Sequence, residues 1–377
     1  MRNGPQLITY ADRLGGDLRG LLELLDGPLE GAFTGVHVLP FFVPIDGADA
    51  GFDPSDHTAV DPRLGTWDDI AAIASRYDLM ADLVCNHVSD RSEQFRSWLA
   101  HGTGSPHDGM FLTLSSVFPD GAREADLARI YRPRPGLPFT RVRLADGSTR
   151  IVWTTFTPNQ IDIDVEHATG WAYLESIVDR FVRAGVASVR LDAVGYAVKR
   201  AGTSCFMIPE TYEFVTRLAE ACRAGGMEVL VEIHGHHLAQ IEVASLVDHV
   251  YDFALPPLLL DALDRADAAP LCRWLGVRPQ NSINVLDTHD GIGVIDVGAD
   301  PSNPARGGLL DPTQLMQLVE GIHRRSGGTS RLATGAAASN LDLYQVNCTY
   351  YDALGGDDRK YLAARLVQVL TPGIPQI

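Results

Sequence analysis

Four short segments concentrate carboxylates, histidines and an arginine. They read Asp82-Leu-Val-Cys-Asn86-His87, Arg190-Leu-Asp192-Ala-Val-Gly-Tyr196, Glu232-Ile-His234 and Asp287-Thr-His289-Asp290. Each continues an apolar run of strand character. Side chains two apart on a strand share a face, so Arg190 should point with Asp192, and Glu232 with His234. An arginine beside an aspartate favours the ionised carboxylate, which suits a nucleophile. A glutamate on the neighbouring strand can serve as acid and then as base. Two carboxylates about 5 Å apart across a sugar can perform a retaining displacement through a covalent glycosyl ester. A third carboxylate, Asp290, would steady the positive charge of an oxocarbenium-like transition state. One aspartate at a strand end says little. Four such segments, in order, are far more specific.

The elements that must carry these groups follow from apolar patterning. Apolar runs at residues 7–10, 35–40, 79–85, 187–193, 228–233, 249–253, 282–287 and 373–377 predict eight strands. Amphipathic stretches between them predict helices. One opens on Thr66 with acidic residues in its first turn, and one runs over 169–184 up to Gly185. Another starts at Pro209 and stops before Gly225 and Gly226. Apolar strands alternating with helices predict an α/β fold with a parallel sheet covered on both sides. Eight of them predict a (β/α)8 TIM barrel, whose chemistry sits at the C-terminal strand ends. The spacing places an inserted subdomain after the third strand, at 88–167, and a long loop region after the seventh, at 291–360. The barrel then takes residues 1–87 and 168–290, and 361–377 holds its eighth strand.

Composition narrows the function. The chain has 377 residues, 45% of them hydrophobic, which is ample for a buried core. There are 48 acidic and 31 basic side chains, a net charge of -17. That field repels nucleic acid and anionic membranes, so neither is expected as a partner. No apolar run approaches the roughly 18 residues needed to span a bilayer, and no secretory leader is evident, so a cytoplasmic location is expected. The five cysteines are odd in number and lack ligand spacing, which predicts free thiols. The acidic runs at 46–49 and 357–358 lack the spacing of a calcium loop, so no metal is expected.

DLVCNH, VRLDAVGY, VEIH and VLDTHD together resemble the four signature regions of glycoside hydrolase family thirteen, the α-amylase superfamily. Longer stretches resemble the sucrose phosphorylase branch of that family, among them LPFFVPIDGADAGFDPSDHTAVDPRLGTWDD, IYRPRPGLPFT, RLDAVGYAVKRAGTSCFM and TGAAASNLDLYQVNCTYY. The likeness runs almost end to end. It implies sucrose and inorganic phosphate as substrates, fructose and glucose 1-phosphate as products, and no cofactor. It implies Asp192 as nucleophile, Glu232 as acid/base and Asp290 as transition-state stabiliser. Asp49, His87, Arg190 and His289 match residues that grip the glucosyl unit. Phe156 and Tyr196 match aromatic walls near the scissile bond. Arg134, His234, Asp342, Tyr344 and Gln345 match an acceptor site that takes fructose and then phosphate. Phosphate in so acidic a protein needs charged or hydrogen-bonding donors, which Arg134 and Tyr344 offer. Asp342 suits a sugar hydroxyl and repels phosphate. A loop alternating between two states, as the family shows, fits that conflict, and the Gly335-Ala-Ala-Ala-Ser339 run would permit the motion. Members are often homodimers.

Alternatives within the branch act on sucrose 6′-phosphate, glucosylglycerate or glucosylglycerol. Further alternatives are a hydrolase or transglucosidase and a silent sugar-binding protein. Tyr344 and Asp342 favour unphosphorylated fructose. The chain stops at Thr371-Pro-Gly-Ile-Pro-Gln-Ile377. The family continues there through a last helix and a C-terminal β-domain, so the resemblance implies a truncated chain that lacks that domain.

Overall fold

The structure is a computed structural model. It describes residues 1–377 apart from 2, 3, 48, 132–135, 301, 302, 304 and 335–344, and for 333 and 334 the backbone alone. The fold is a (β/α)8 barrel. Its strands are β1 (Gln6–Thr9), β2 (Gly35–Val38), β3 (Asp78–Val84), β4 (Ser188–Asp192), β5 (Glu228–Val231), β6 (His249–Asp252), β7 (Ser282–Asn284) and β8 (Ile374–Pro375). The chain divides into two compact units, residues 9–232 with 1–2, and residues 233–377 with 3–8.

In the first unit β2, β3, β4 and β5 pair in parallel, and Arg190 of β4 lies beside Asp82 of β3 and Leu230 of β5. β4 is buried along its whole length. Helices cover the outer faces. The helix Ala168–Ala184 buries Trp171, Leu174, Ile177 and Phe181 on one stripe and ends at Gly185, whose φ of 76° is left-handed. Trp67–Ala74 opens on a capping box between Thr66 and Asp69. The segment after β3 returns to the barrel by an antiparallel pair, His87–Ser89 with Gln160–Asp162. It also contains a hairpin of Phe139–Arg143 and Thr149–Trp153.

In the second unit β6, β7 and β8 pair in parallel, and Ile8 and Gln6 of β1 exchange backbone bonds with Ile377. Asp252 is buried against Arg278 and Trp274, which donate to it at 2.6 and 2.8 Å. Burial still pushes its pKa above the usual range.

Several strands are shorter than the apolar pattern predicts, and at two of them the difference bears on the site. β5 stops at Val231 and β7 at Asn284. Ile233 and Leu286 are buried without belonging to a ladder, which is why the pattern overruns. Glu232 and His234 therefore follow β5 and are not held to its alternation. The five cysteines are free. Among the described residues no helix is long and apolar enough to cross a membrane.

Candidate active site

β4 places Arg190 and Asp192 on one face, as its alternation requires. Arg190 Nη1 donates to Asp192 Oδ1 at 2.9 Å and to Asp82 Oδ1 at 2.6 Å. Its Nη2 lies 3.3 Å from Glu232 Oε1. One buried guanidinium thus faces three carboxylates. Asp82 is itself anchored, because His37 Nε2 sits 2.9 Å from its second oxygen. Immediately after Asp192 the chain turns at Ala193, with φ 53°. That left-handed conformation costs a residue with a Cβ about 1 kcal/mol or more. It aims the Ala193 N–H at Glu232 Oε2, 3.1 Å away. The same turn leaves the Asp192 carbonyl to accept from Cys85 Sγ at 3.1 Å.

Beside this centre stand His87, Asp49, Phe156 and Tyr196. The antiparallel pairing sets His87 opposite Asp162. Its Nε2 bonds the Phe52 carbonyl at 2.8 Å and its Nδ1 meets Asn86 Nδ2 at 3.3 Å. Burial lowers the pKa of His87, so the ring is neutral with its proton on Nε2. Gln160 Nε2 donates to Asp49 Oδ2 at 2.8 Å and lies 3.0 Å from His87 Nε2. Aromatic rings line the rest. Phe156 meets His87 at 5.4 Å and Tyr196 at 5.1 Å between centroids, edge to face. Tyr131 stacks on Tyr196 at 6.2 Å. Carboxylates, a neutral imidazole, amides and aromatic walls make a surface suited to a sugar ring, which offers hydroxyl groups and apolar C–H faces.

The second unit holds the other described candidates. His234 stacks on Phe253 at 4.0 Å, and its Nδ1 lies 3.1 Å from Asp296 Oδ2. Asp296 is fully buried and also accepts from Gly235 N and Gln240 Nε2. His289 and Asp290 are the central pair of a tight turn closed by Thr288 and Gly291, which exchange both backbone bonds. His289 Nε2 is 3.3 Å from Asp290 Oδ2, and the Asp290 carboxylate is 39% exposed. Gln345 pairs with Gly293 in a short antiparallel ladder.

The first unit therefore brings together Asp49, His87, Phe156, Arg190, Asp192, Tyr196 and Glu232. His234, His289, Asp290 and Gln345 belong to the second. Arg134, Asp342 and Tyr344 lie outside the described residues. Sequence reasoning passed over Gln160, His37 and Asp296. Nothing in their local spacing singles them out, since their partners are distant in the chain. Asp82 opens one of the four segments, but its role as the anchor of Arg190 shows only in the fold.

The profile of the α-amylase catalytic domain matches residues 5–237. The chain belongs to the α-amylase family. Within that family it is 63% identical to a sucrose phosphorylase of Agrobacterium vitis, over 100% of this chain and 77% of that protein. It is 54% identical to a sucrose phosphorylase of Bifidobacterium adolescentis, over 100% of this chain and 75% of the other. The crystal structure of sucrose 6F-phosphate phosphorylase from Thermoanaerobacter thermosaccharolyticum matches with a TM-score of 0.90 at 37% identity. That match covers 100% of this chain and 75% of the other. The barrel and the α-amylase signature segments thus agree with the family.

Proposed function

We propose that the protein is a retaining sucrose phosphorylase. The 63% identity to a sucrose phosphorylase along the whole chain carries this reading. The shared guanidinium supports its chemistry. The glucosyl ring of sucrose sits among His87, Asp49, Phe156 and Tyr196. Asp192 attacks C1, and the bond from C1 to the fructosyl oxygen breaks as Glu232 gives that oxygen its proton. Ester formation removes the charge on Asp192 while Glu232 gains one. Arg190 stands beside both carboxylates, at 2.9 and 3.3 Å, so its charge stays paired throughout the step. A phosphate oxygen then attacks C1 and passes its proton to Glu232. Two inversions give α-D-glucose 1-phosphate.

In the same reading Asp290 steadies the transition state and His289 helps hold the glucosyl unit. His234, Gln345, Arg134, Asp342 and Tyr344 serve fructose and then phosphate. Residues 88–167 and 291–360 act as the inserted subdomain and the acceptor loop region. A cytoplasmic location and a homodimer complete the reading.

The test is an assay of purified protein with sucrose and phosphate. Equal amounts of fructose and glucose 1-phosphate, formed only with phosphate, are expected. Release from sucrose 6′-phosphate or glucosylglycerol in place of sucrose would give a sister activity. Sucrose loss indifferent to phosphate would overturn phosphorolysis.

A further inference from the structure

Lys199 is a buried cation of the first unit that takes no part in the proposed chemistry. Its side chain is 1% exposed, and a lysine so deeply buried must be paired. The ammonium lies 2.7 Å from Asp162 Oδ2, donates to Asn86 Oδ1 at 3.0 Å, and donates to the Tyr196 carbonyl. These three partners come from three different places in the chain: the segment after β3, the returning strand of the insertion, and the turn after β4. Each leads directly to a residue of the glucosyl pocket.

Asn86 accepts from Lys199 with its carbonyl oxygen, so its amide nitrogen is turned to His87 Nδ1. An amide nitrogen only donates, so toward Asn86 Nδ1 is the acceptor, and the Phe52 carbonyl at Nε2 favours the ring proton there. Asp162 pairs with His87 in the ladder and takes both the N–H and the hydroxyl of Thr155, at 2.9 and 2.6 Å. Thr155 immediately precedes Phe156. The third contact fixes the backbone of Tyr196 itself, whose ring packs on Phe156. One ammonium therefore ties the tautomer of His87 to the placement of two aromatic walls.

We propose that Lys199 is a positioning residue of the glucosyl pocket, holding His87, Phe156 and Tyr196 in register through Asn86, Asp162 and the Tyr196 carbonyl. The proposal rests on the glycosyl-transfer reading of the site. A plain structural ion pair would stabilise the fold and leave the kinetics of folded enzyme unchanged. Positioning would move both.

The experiment compares the full chain with Lys199→Met and with the double variant Lys199→Met/Asp162→Asn. Methionine keeps length and removes the charge. The double variant leaves no unpaired buried carboxylate, so it should regain melting temperature. All kinetics are taken where melting curves show each variant folded. The expected result is a fall in kcat/KM for sucrose of roughly 10- to 100-fold in both variants, carried by a higher KM as well as a lower kcat. Glucose affinity, read by calorimetry, should fall with it. Unchanged kcat/KM and glucose affinity in folded Lys199→Met would overturn the proposal. So would a double variant that recovers kinetics together with melting temperature. Failure of the wild-type chain to phosphorolyse sucrose would count against the proposed activity alone, because glucose affinity still judges Lys199.

Discussion

Arg190 binds Asp82, Asp192 and Glu232 at once, and this sharing shapes what substitutions at the site should do. Asp192→Ala removes the group that forms the ester. Turnover should fall on the order of 10⁴-fold or more, as losing a covalent nucleophile does. Appreciable phosphorolysis by that variant would refute the assignment. Glu232→Gln should lose roughly 10²- to 10⁴-fold on sucrose. It should keep most activity on glucosyl fluoride, whose leaving group needs no proton. Equal losses on both donors would contradict the acid role. A second residue-scale effect concerns stability. His57 is buried against Phe42, and burial lowers its pKa to about 4. Above pH 6.5 both the folded and unfolded states carry it neutral. Between 6.5 and about 4 the unfolded chain takes up a proton that the folded one refuses, so stability falls with pH. By pH 4 the loss reaches roughly 3 kcal/mol. Melting of His57→Gln should fall less steeply than wild type from pH 6.5 to 4.5. Parallel slopes would show that His57 is not the group.

At the scale of elements, the turn that carries His289 and Asp290 depends on Gly291. Its φ is 88°, and a Cβ there would meet the Val346 carbonyl at 2.3 Å. Gly291→Ala must therefore push the turn away from the short ladder of Ile292–Gly293 with Gln345–Val346. We expect at least about a tenfold loss of kcat/KM, from displacement of Asp290 and His289. Activity equal to wild type would mean that the turn does not position those residues. Helix ends were legible because capping is local: Thr66 with Asp69, and Gly185 with its positive φ, need no distant partner. The face shared by Arg190 and Asp192 was legible for the same reason, two residues being one strand repeat. The ends of β5 and β7 were not. Burial continues past the last ladder bond there, and apolar pattern reports burial rather than pairing.

For the whole molecule, the net charge of -17 has a kinetic consequence. Sucrose is neutral and phosphate is an anion. The protein's field should hinder only phosphate, and salt screens that field within about 10 Å at 0.1 M. Raising ionic strength from 10 to 150 mM with a non-binding salt should lower the KM for phosphate and leave that for sucrose unchanged. A rise in phosphate KM would show that salt weakens local cationic contacts more than it screens the global repulsion.

The alternation of strands and helices, the four signature segments and the pairing of Arg190 with Asp192 are written in the sequence. Each depends on residue type at short, fixed spacing. The tertiary structure alone decided which distant groups support them. His37 reaches Asp82 across 45 residues, Gln160 reaches Asp49 across 111, and Lys199 reaches Asn86 across 113. Such contacts carry no spacing signal. His37 meets Asp82 because β2 and β3 lie side by side in the barrel. Gln160 stands on the antiparallel pair that returns from the insertion, and Lys199 follows the turn after β4. In each place a buried polar group must find its partner.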